Sequence, residues 1–123
     1  MTRKSKVAVL GASSKADRYS NMLIRRLHAR GHEVFPINPA FPEIDGIRVY
    51  ASLEALPAGI DVLSVYMNAQ RSDALAESLL ACGISRVIFN PGAENPELAK
   101  RLEAHGFKVE EACSLVLSDI DQL

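Results

Sequence analysis

The polar residues best placed for chemistry follow the first apolar segment of the chain. Lys6–Leu10 reads Lys-Val-Ala-Val-Leu and predicts a strand, and a hydroxyl-rich loop at residues 11–20 leads from it toward a helical pattern. Backbone N–H groups in such a loop, together with the positive end of a helix, favour a bound anion. Lys15 and Arg18 add positive charge to the loop. The loop is therefore a candidate phosphate-binding site.

Three more predicted strands end in polar, turn-rich loops, at Asn38-Pro39, at residues 67–71 and at residues 90–94. Ligands of parallel α/β sheets bind beyond the carboxyl ends of the strands, so all four loops should meet at one rim. The neutral candidates are Ser13, Ser14, Asn38, Asn68, Gln70 and Asn90, and the cations are Lys15, Arg18 and Arg71. The alternative for each is structural, because Ser and Asn also cap helices and form turns.

The first loop lacks most of the glycine pattern that binds nicotinamide dinucleotides. That pattern is Gly-x-Gly-x-x-Gly, with an acid at the end of the second strand. Here Ser13 and Ala16 replace the second and third glycines, and Asn38 ends the second strand. A small NAD(P)-dependent oxidoreductase is therefore disfavoured, although it is kept as an alternative function.

Neither a catalytic nor a metal site is predicted. Cys82 and Cys113 form no Cys-x-x-Cys pair, and the histidines lie near predicted helix ends, where their charge suits the helix dipole. No Ser/His/Asp arrangement or metal-ligand spacing falls at the strand ends. Glu94, the one acid of the fourth loop, is expected to begin a helix. We expect a ligand-binding protein rather than an enzyme.

The bulk composition excludes other classes of function. Of the 123 residues, 48% are hydrophobic and 24% are charged, which predicts a globular domain with a core. A net charge of −1 offers no basic field for nucleic acid. No apolar run reaches the roughly 20 residues of a membrane span, and Val7–Leu10 is too short for the apolar region of a signal peptide. We expect a cytoplasmic protein.

Alternating strand and helix patterns position the four loops. Helical periodicity ends three times at a glycine, and a strand pattern follows at once. The predicted strands are residues 6–10, 33–37, 60–67, 85–89 and 108–110, and the predicted helix caps are Ser20 or Asn21 and Asn95. These patterns predict an α/β, doubly wound, Rossmann-like fold in which a five-stranded parallel sheet lies between two helix layers (three-layer α/β/α). We expect one domain over residues 1–123, with the strands in spatial order 3-2-1-4-5.

Several motifs occur in a specific order along nearly the whole chain. They are Val7-Ala-Val-Leu-Gly-Ala-Ser13, Asn38-Pro39, Val49-Tyr-Ala-Ser-Leu53, Ile60-Asp-Val-Leu-Ser-Val65, Asn90-Pro-Gly-Ala-Glu-Asn95 and Glu111-Ala-Cys-Ser-Leu-Val116. This ordered set resembles the small single-domain CoA-binding proteins, which are related to the N-terminal domain of the succinyl-CoA synthetase α subunit. The resemblance implies coenzyme A (CoA), free or acylated, as the ligand.

The resemblance also implies a role for each matching position. A loop of Gly11, Ala12, Ser13, Ser14, Lys15, Arg18, Tyr19 and Ser20 would wrap the diphosphate and ribose. Asn38 and Pro39 would border the nucleotide half, Tyr66, Met67 and Asn68 would lie on the adenine side, and Asn90, Pro91 and Gly92 would lie along the pantetheine arm. An acid after the second strand would repel the 3′-phosphate of CoA, so its absence suits this ligand.

Two departures from the family pattern affect the expected function. The phosphorylated histidine of the synthetase belongs to a second domain, which we expect this chain to lack, so His105 is not given that role. The basic residue that the synthetase places after strand two is absent from residues 37–41, and Arg48 is the nearest cation. The contacts of the 3′-phosphate therefore stay open.

Cys113 aligns with a cysteine of the small proteins, and two interpretations are open. Its thiol is either buried in the last turn or near the thiol of the ligand, where the two would form a mixed disulfide.

Three hypotheses follow from the sequence. The first is a CoA-binding protein without catalysis of its own, acting as carrier, sensor or partner subunit. The second is an enzyme, either the oxidoreductase above or one component of an acyl-CoA ligase. The third is an interaction domain that binds no ligand at the rim. A homodimer or another protein partner is compatible with each hypothesis.

Overall fold

Five parallel strands form one sheet in the computed structural model, which describes residues 4–123. The strands of this sheet are β1 (Lys6–Leu10), β2 (Glu33–Ile37), β5 (Val62–Val65), β6 (Arg86–Phe89) and β7 (Lys108–Glu111). The helices are α1 (Tyr19–Ala29), α2 (Ala69–Ala74), α3 (Ala76–Ala81), α4 (Pro96–Ala104) and α5 (Ser114–Asp119). Between β2 and β5 lie a two-stranded hairpin, β3 (Glu43–Ile44) with β4 (Ile47–Arg48), and a 3₁₀ turn at Leu53–Ala55.

The strand order is β2-β1-β5-β6-β7, which corrects the predicted order. The prediction placed the third long strand beyond β2, whereas β5 pairs with β1 on its other side, with Val7 opposite Val62. Numbered by the five long strands alone, the order is 2-1-3-4-5, and the direction of winding reverses between β1 and β5. The α/β class, the five parallel strands and the doubly wound arrangement are confirmed.

The two faces of the sheet carry separate apolar clusters, because successive side chains of a strand point to opposite faces. On β1, Val7 and Val9 pack toward α1 and α5, whereas Ala8 and Leu10 pack toward α3, α4 and the 3₁₀ turn. All four residues are buried. The predicted three layers are therefore present, with β5 as the central strand and β1 between β5 and the edge strand β2.

Helix starts follow the sequence signals only in part. Asn95 caps α4 as predicted, since its Oδ1 accepts from Leu98 N at 3.2 Å. The predicted cap of α1 is wrong, because this helix begins at Tyr19 and both Ser20 and Asn21 are buried within its first turn. The helical pattern that leads to Gly83 forms two short helices, α2 and α3, which meet at Leu75. Within residues 4–123, no helix is long and apolar enough to cross a membrane.

Candidate functional site

The first loop leaves β1 through a glycine that no other residue can replace without strain. Gly11 has a φ of +85°, a region that residues with a side chain rarely adopt. A Cβ atom at this position would lie 2.7 Å from the carbonyl oxygen of Tyr66, which belongs to the chain leaving β5. The first loop therefore passes directly over the end of β5, where the winding of the sheet reverses.

Two asparagine side chains hold this loop in place. Asn38 Nδ2 donates to the carbonyl oxygen of Ala12 at 2.8 Å, and Asn38 Oδ1 accepts from Ala40 N at 2.8 Å. Asn21 Nδ2 donates to Ser13 O at 2.9 Å from the first turn of α1. Side-chain hydrogen bonds of this kind fix the backbone of a loop that lacks regular structure. The loop is therefore shaped before any ligand arrives.

A polar cavity of about 460 Å³ opens above this loop. Most of its lining comes from the loop itself, with further contributions from β2, β5 and α2. The lining residues are Gly11, Ala12, Ser13, Ser14, Lys15, Arg18, Tyr19, Ser20, Asn38, Phe41, Tyr66 and Arg71. We call it the loop cavity, and all eight residues predicted for the first loop line it.

A second cavity, of about 310 Å³, adjoins the first. Its lining is mainly apolar and comes from the ends of β1, β2 and β5, from α2 and from the segment before the 3₁₀ turn. The lining residues are Leu10, Gly11, Ile37, Asn38, Pro39, Ala51, Ser52, Leu53, Glu54, Met67, Arg71, Ala74 and Leu75. We call it the apolar cavity, and it contains the predicted residues Pro39 and Met67.

Gly11, Asn38 and Arg71 line both cavities, so the two form one continuous site. The site lies at the carboxyl ends of β1, β2 and β5. This is the crevice at which open α/β sheets bind ligands. Volumes of a few hundred Å³, with apolar walls and a few polar groups, are typical of sites for small molecules.

Five predicted residues line neither cavity, namely Asn68, Gln70, Asn90, Pro91 and Gly92. Asn68 instead caps α2, since its Oδ1 accepts from Arg71 N at 2.9 Å. Asn90 is 1% exposed and its amide is engaged inside the protein. Asn90 Nδ2 donates to Ser64 Oγ at 2.8 Å, and its Oδ1 accepts from Ser114 N at 2.8 Å. The side chain of Asn90 thus joins β6 to β5 and α5.

Tyr66 borders the loop cavity, but its hydroxyl points into the protein. The Tyr66 OH group is buried and makes no hydrogen bond within residues 4–123. Burial, together with the nearby Cys113, raises the pKa of this phenol well above its usual range. Tyr66 therefore remains neutral and contributes its ring and backbone, rather than a charge, to the site.

Nine residues that line the two cavities were not predicted as ligand candidates. Seven are apolar, namely Leu10, Ile37, Phe41, Ala51, Leu53, Ala74 and Leu75, and two are polar, namely Ser52 and Glu54. Ser52 and Glu54 reach the site because Tyr50 pairs with the end of β2, where Asn38 N donates to Tyr50 O at 2.9 Å. The Ser78 hydroxyl donates to Glu54 and lowers the pKa of that carboxyl, so it is ionised at neutral pH. In the sequence, the only signal for a role of residues 50–54 was the Val49-Tyr-Ala-Ser-Leu53 motif of the family resemblance.

The acid of the fourth loop and the two cysteines line neither cavity. Glu94 Oε1 accepts from Gly92 N at 2.9 Å and so closes its own turn. Within residues 4–123, no group of three His, Cys, Asp or Glu side chains is placed to hold a metal ion. Cys82 is half-buried, and burial raises the pKa of its thiol. Cys113 is also half-buried, where it precedes α5 and packs against the cluster on the α1 face.

Comparison with known proteins places this geometry in a family. A model of the CoA binding domain matches residues 5–119 of the chain. The YneT protein of Bacillus subtilis is 27% identical over 106 residues, which cover 86% of this chain and 78% of that protein. The solved structure of a conserved hypothetical protein from Pyrococcus furiosus superposes with a TM-score of 0.84 at 31% identity, covering 91% of this chain and 97% of that one.

A further relative is an enzyme of which only a part is similar. The ADP-forming acetate–CoA ligase I of Archaeoglobus fulgidus is 24% identical over 113 residues, which cover 84% of this chain but 16% of the ligase. The shared part is homologous to this chain, and the family model spans most of the strands and helices that build the site. The chain therefore belongs to the family of CoA binding domains.

Proposed function

We propose that the protein binds CoA at the carboxyl edge of its sheet. The observation that carries this proposal is the pair of adjoining cavities, one polar and cationic, the other apolar. CoA has the same division, with a diphosphate on one side of its ribose and an adenine on the other. Family membership supports the proposal, since the matched family is that of the CoA binding domain.

The diphosphate fits the loop cavity. Lys15 and Arg18 supply positive charge there, and the loop supplies backbone N–H groups and the hydroxyls of Ser13 and Ser14. Among residues 4–123, the side chains that line this cavity include no carboxylate. The negatively charged diphosphate is therefore attracted by the two cations and is not repelled by any carboxylate of the lining. The first loop does this without the glycine turn of the dinucleotide-binding pattern.

The adenine fits the apolar cavity. Its walls include Ile37, Leu53, Met67 and Leu75, which offer dispersion contact to both faces of a flat base. The pantetheine arm then runs outward along the rim toward residues 90–92. Because the Asn90 side chain is engaged within the protein, this stretch contacts the arm through its backbone and through Pro91.

The protein performs no chemistry of its own in this proposal. Glu94 is engaged in its turn, and Glu54, the carboxylate in the apolar cavity, faces the base rather than the reactive end of CoA. The protein then acts as a carrier or sensor of CoA or an acyl-CoA, or as the CoA-binding partner of another subunit. Incubation with acetate, ATP and CoA should yield no acetyl-CoA, and production of the thioester by the chain alone would overturn this part of the proposal.

Calorimetry tests the ligand directly. We expect binding of CoA and acetyl-CoA, and weaker binding of NAD, NADP and ATP. Replacing Lys15 and Arg18 together by Met should weaken CoA binding by at least about tenfold, because charge-assisted contacts to phosphate are lost. The matched control replaces Lys100 and Arg101, two cations of α4, and should leave binding unchanged. Tighter binding of NAD than of CoA, or full CoA affinity in the first variant, would refute the proposal.

A second candidate function is supported by the ligase relative. The homologous part of the Archaeoglobus acetate–CoA ligase is a small portion of that enzyme, so a separate subunit would have to provide the remaining activities. Co-purification from the native organism with a nucleotide-binding subunit, and acyl-CoA synthesis only by the pair, would favour this function. CoA binding by the isolated chain is expected in either case.

A further inference from the structure

The junction of the two cavities is where the ribose of the ligand lies, provided that the proposed function holds. A nucleotide with its base in the apolar cavity and its diphosphate in the loop cavity has its sugar between them. The residues that line both cavities are Gly11, Asn38 and Arg71. A phosphate attached to that ribose must therefore be recognised by this group of three.

Only one of the three residues carries a charge. Gly11 has no side chain, and any atom added there would meet the Tyr66 carbonyl. Both polar atoms of the Asn38 side chain are already hydrogen-bonded within the protein, to Ala12 and to Ala40. Arg71 supplies the positive charge that a phosphate at the junction requires.

The guanidinium of Arg71 is available for a ligand. Asn68 binds the backbone N–H of Arg71, not its side chain, and the side chain is exposed. Within residues 4–123, no carboxylate lies within 4.0 Å of this guanidinium to form an ion pair. A planar guanidinium also matches a phosphate, because two of its N–H groups can bind two oxygens at once.

Other charges of the site favour the same position for the phosphate. Glu54, at the wall of the apolar cavity, is an exposed carboxylate held by Ser78, so the charged side chains on that side of the junction are not positive except for Arg71. Lys15 and Arg18 line only the loop cavity, where the diphosphate lies. Arg48, the cation nearest in sequence to the end of β2, stacks on Tyr50 at 4.6 Å and borders a different cavity. We infer that Arg71 binds the 3′-phosphate of CoA and makes the site select a phosphorylated ribose.

The affinity ratio between CoA and 3′-dephospho-CoA tests this inference. Calorimetry of the wild-type protein should give a ratio of about 10 to 100, the range expected for a charge-assisted contact. Arg71→Met should reduce the ratio to about threefold or less, mainly by weakening CoA, since a cation there has little to bind in dephospho-CoA. Arg71→Lys should give an intermediate ratio, because lysine keeps the charge but not the paired donors.

The matched control is Arg48→Met, which should leave the ratio at its wild-type value. The ratio of the affinities for CoA and dephospho-CoA does not change when a fraction of the protein is unfolded. Circular dichroism of each variant checks separately that it is folded. Equal wild-type affinities for CoA and dephospho-CoA, or a ratio lost in Arg48→Met and kept in Arg71→Met, would overturn the role of Arg71 while CoA binding stands. A wild-type protein that binds neither molecule would overturn the proposed function, and the role of Arg71 with it.

Discussion

Replacing Gly11 by alanine tests the close approach of the first loop to β5. Alanine introduces a Cβ atom 2.7 Å from the Tyr66 carbonyl oxygen and 3.0 Å from its carbonyl carbon. Both atoms belong to the backbone of Tyr66, directly after β5, so neither can turn away as a side chain would. The chain must either bear the overlap or move the loop.

Two costs add up in this variant. Holding a residue with a Cβ atom in the left-handed region costs about 1–2 kcal/mol. Forcing an extra carbon into a packed position costs about 1–3 kcal/mol. The free energy of unfolding should therefore fall by about 2–5 kcal/mol in total. For a chain of 123 residues, each kcal/mol lowers Tm by about 4 °C, so Tm should fall by about 8–20 °C.

Gly59→Ala is the matched control, because Gly59 has a φ of +87° but nothing within 4 Å of its added Cβ. This variant incurs the backbone cost alone and should lose only about 1–2 kcal/mol. Urea unfolding and thermal melts of both variants measure the difference. If Gly11→Ala is no less stable than Gly59→Ala, the loop does not pass over the end of β5 at the distance described.

Two further predictions concern buried polar groups. Asn90→Ala should lower the free energy of unfolding by about 2–4 kcal/mol, because it leaves buried hydrogen-bond partners unpaired. The control Asn68→Ala removes a helix cap and should lower it by only about 1 kcal/mol. Equal losses of the two variants in urea unfolding would contradict the buried network around Asn90. His32 is 8% exposed and its Nδ1 accepts from Ser5 N at 2.9 Å, and burial lowers its pKa below the usual value of about 6.5. The unfolded chain then binds a proton at His32 more readily than the folded protein does. The contribution of His32 to the free energy of unfolding should therefore be constant above about pH 6.5 and should fall as the pH is lowered from there. His32→Asn should flatten this dependence and His28→Asn should preserve it, and a sloping profile in His32→Asn would exclude His32 as its source.

The parallel sheet was predictable because its signals are local. Apolar runs such as Val62–Val65 mark strands covered on both faces, and the alternation with helices implies parallel pairing. The strand order was not predictable from the same signals. Nothing in the run itself says whether it pairs with β1 or extends the sheet beyond β2. The one available signal lay in β2, because Pro36 has no N–H to donate to a further strand, and β2 is the edge strand.

All eight residues predicted for the first loop line a cavity, whereas those predicted for the fourth loop line neither, for one physical reason. Ser13 and Asn90 look alike in sequence, as polar residues that follow a strand. The difference arises from partners far along the chain, since Ser114 on α5 and Ser64 on β5 enclose Asn90. Only the folded chain shows which polar side chains are already engaged and which are open to a ligand.

Glu54 was missed for a related reason. It lies in the long connection between β2 and β5, which carries no strong periodicity. The pairing of Tyr50 with the end of β2 brings this connection to the rim, and that pairing is a contact between backbone groups. Backbone pairing of this kind leaves little trace in residue types.

The Asn38 side chain couples the mobility of the two loops on either side of the site. Ala12 N donates to Ile37 O, and Asn38 returns a hydrogen bond to Ala12 O while also binding Ala40 N. Neither loop can detach from the sheet edge without breaking bonds that hold the other. We therefore expect the two loops to open as one cooperative unit, so that the amides of Ala12 and Ala40 share one opening free energy in hydrogen exchange. A molecule bound in either cavity should then slow exchange in both loops, and the effect should grow with its concentration relative to Kd.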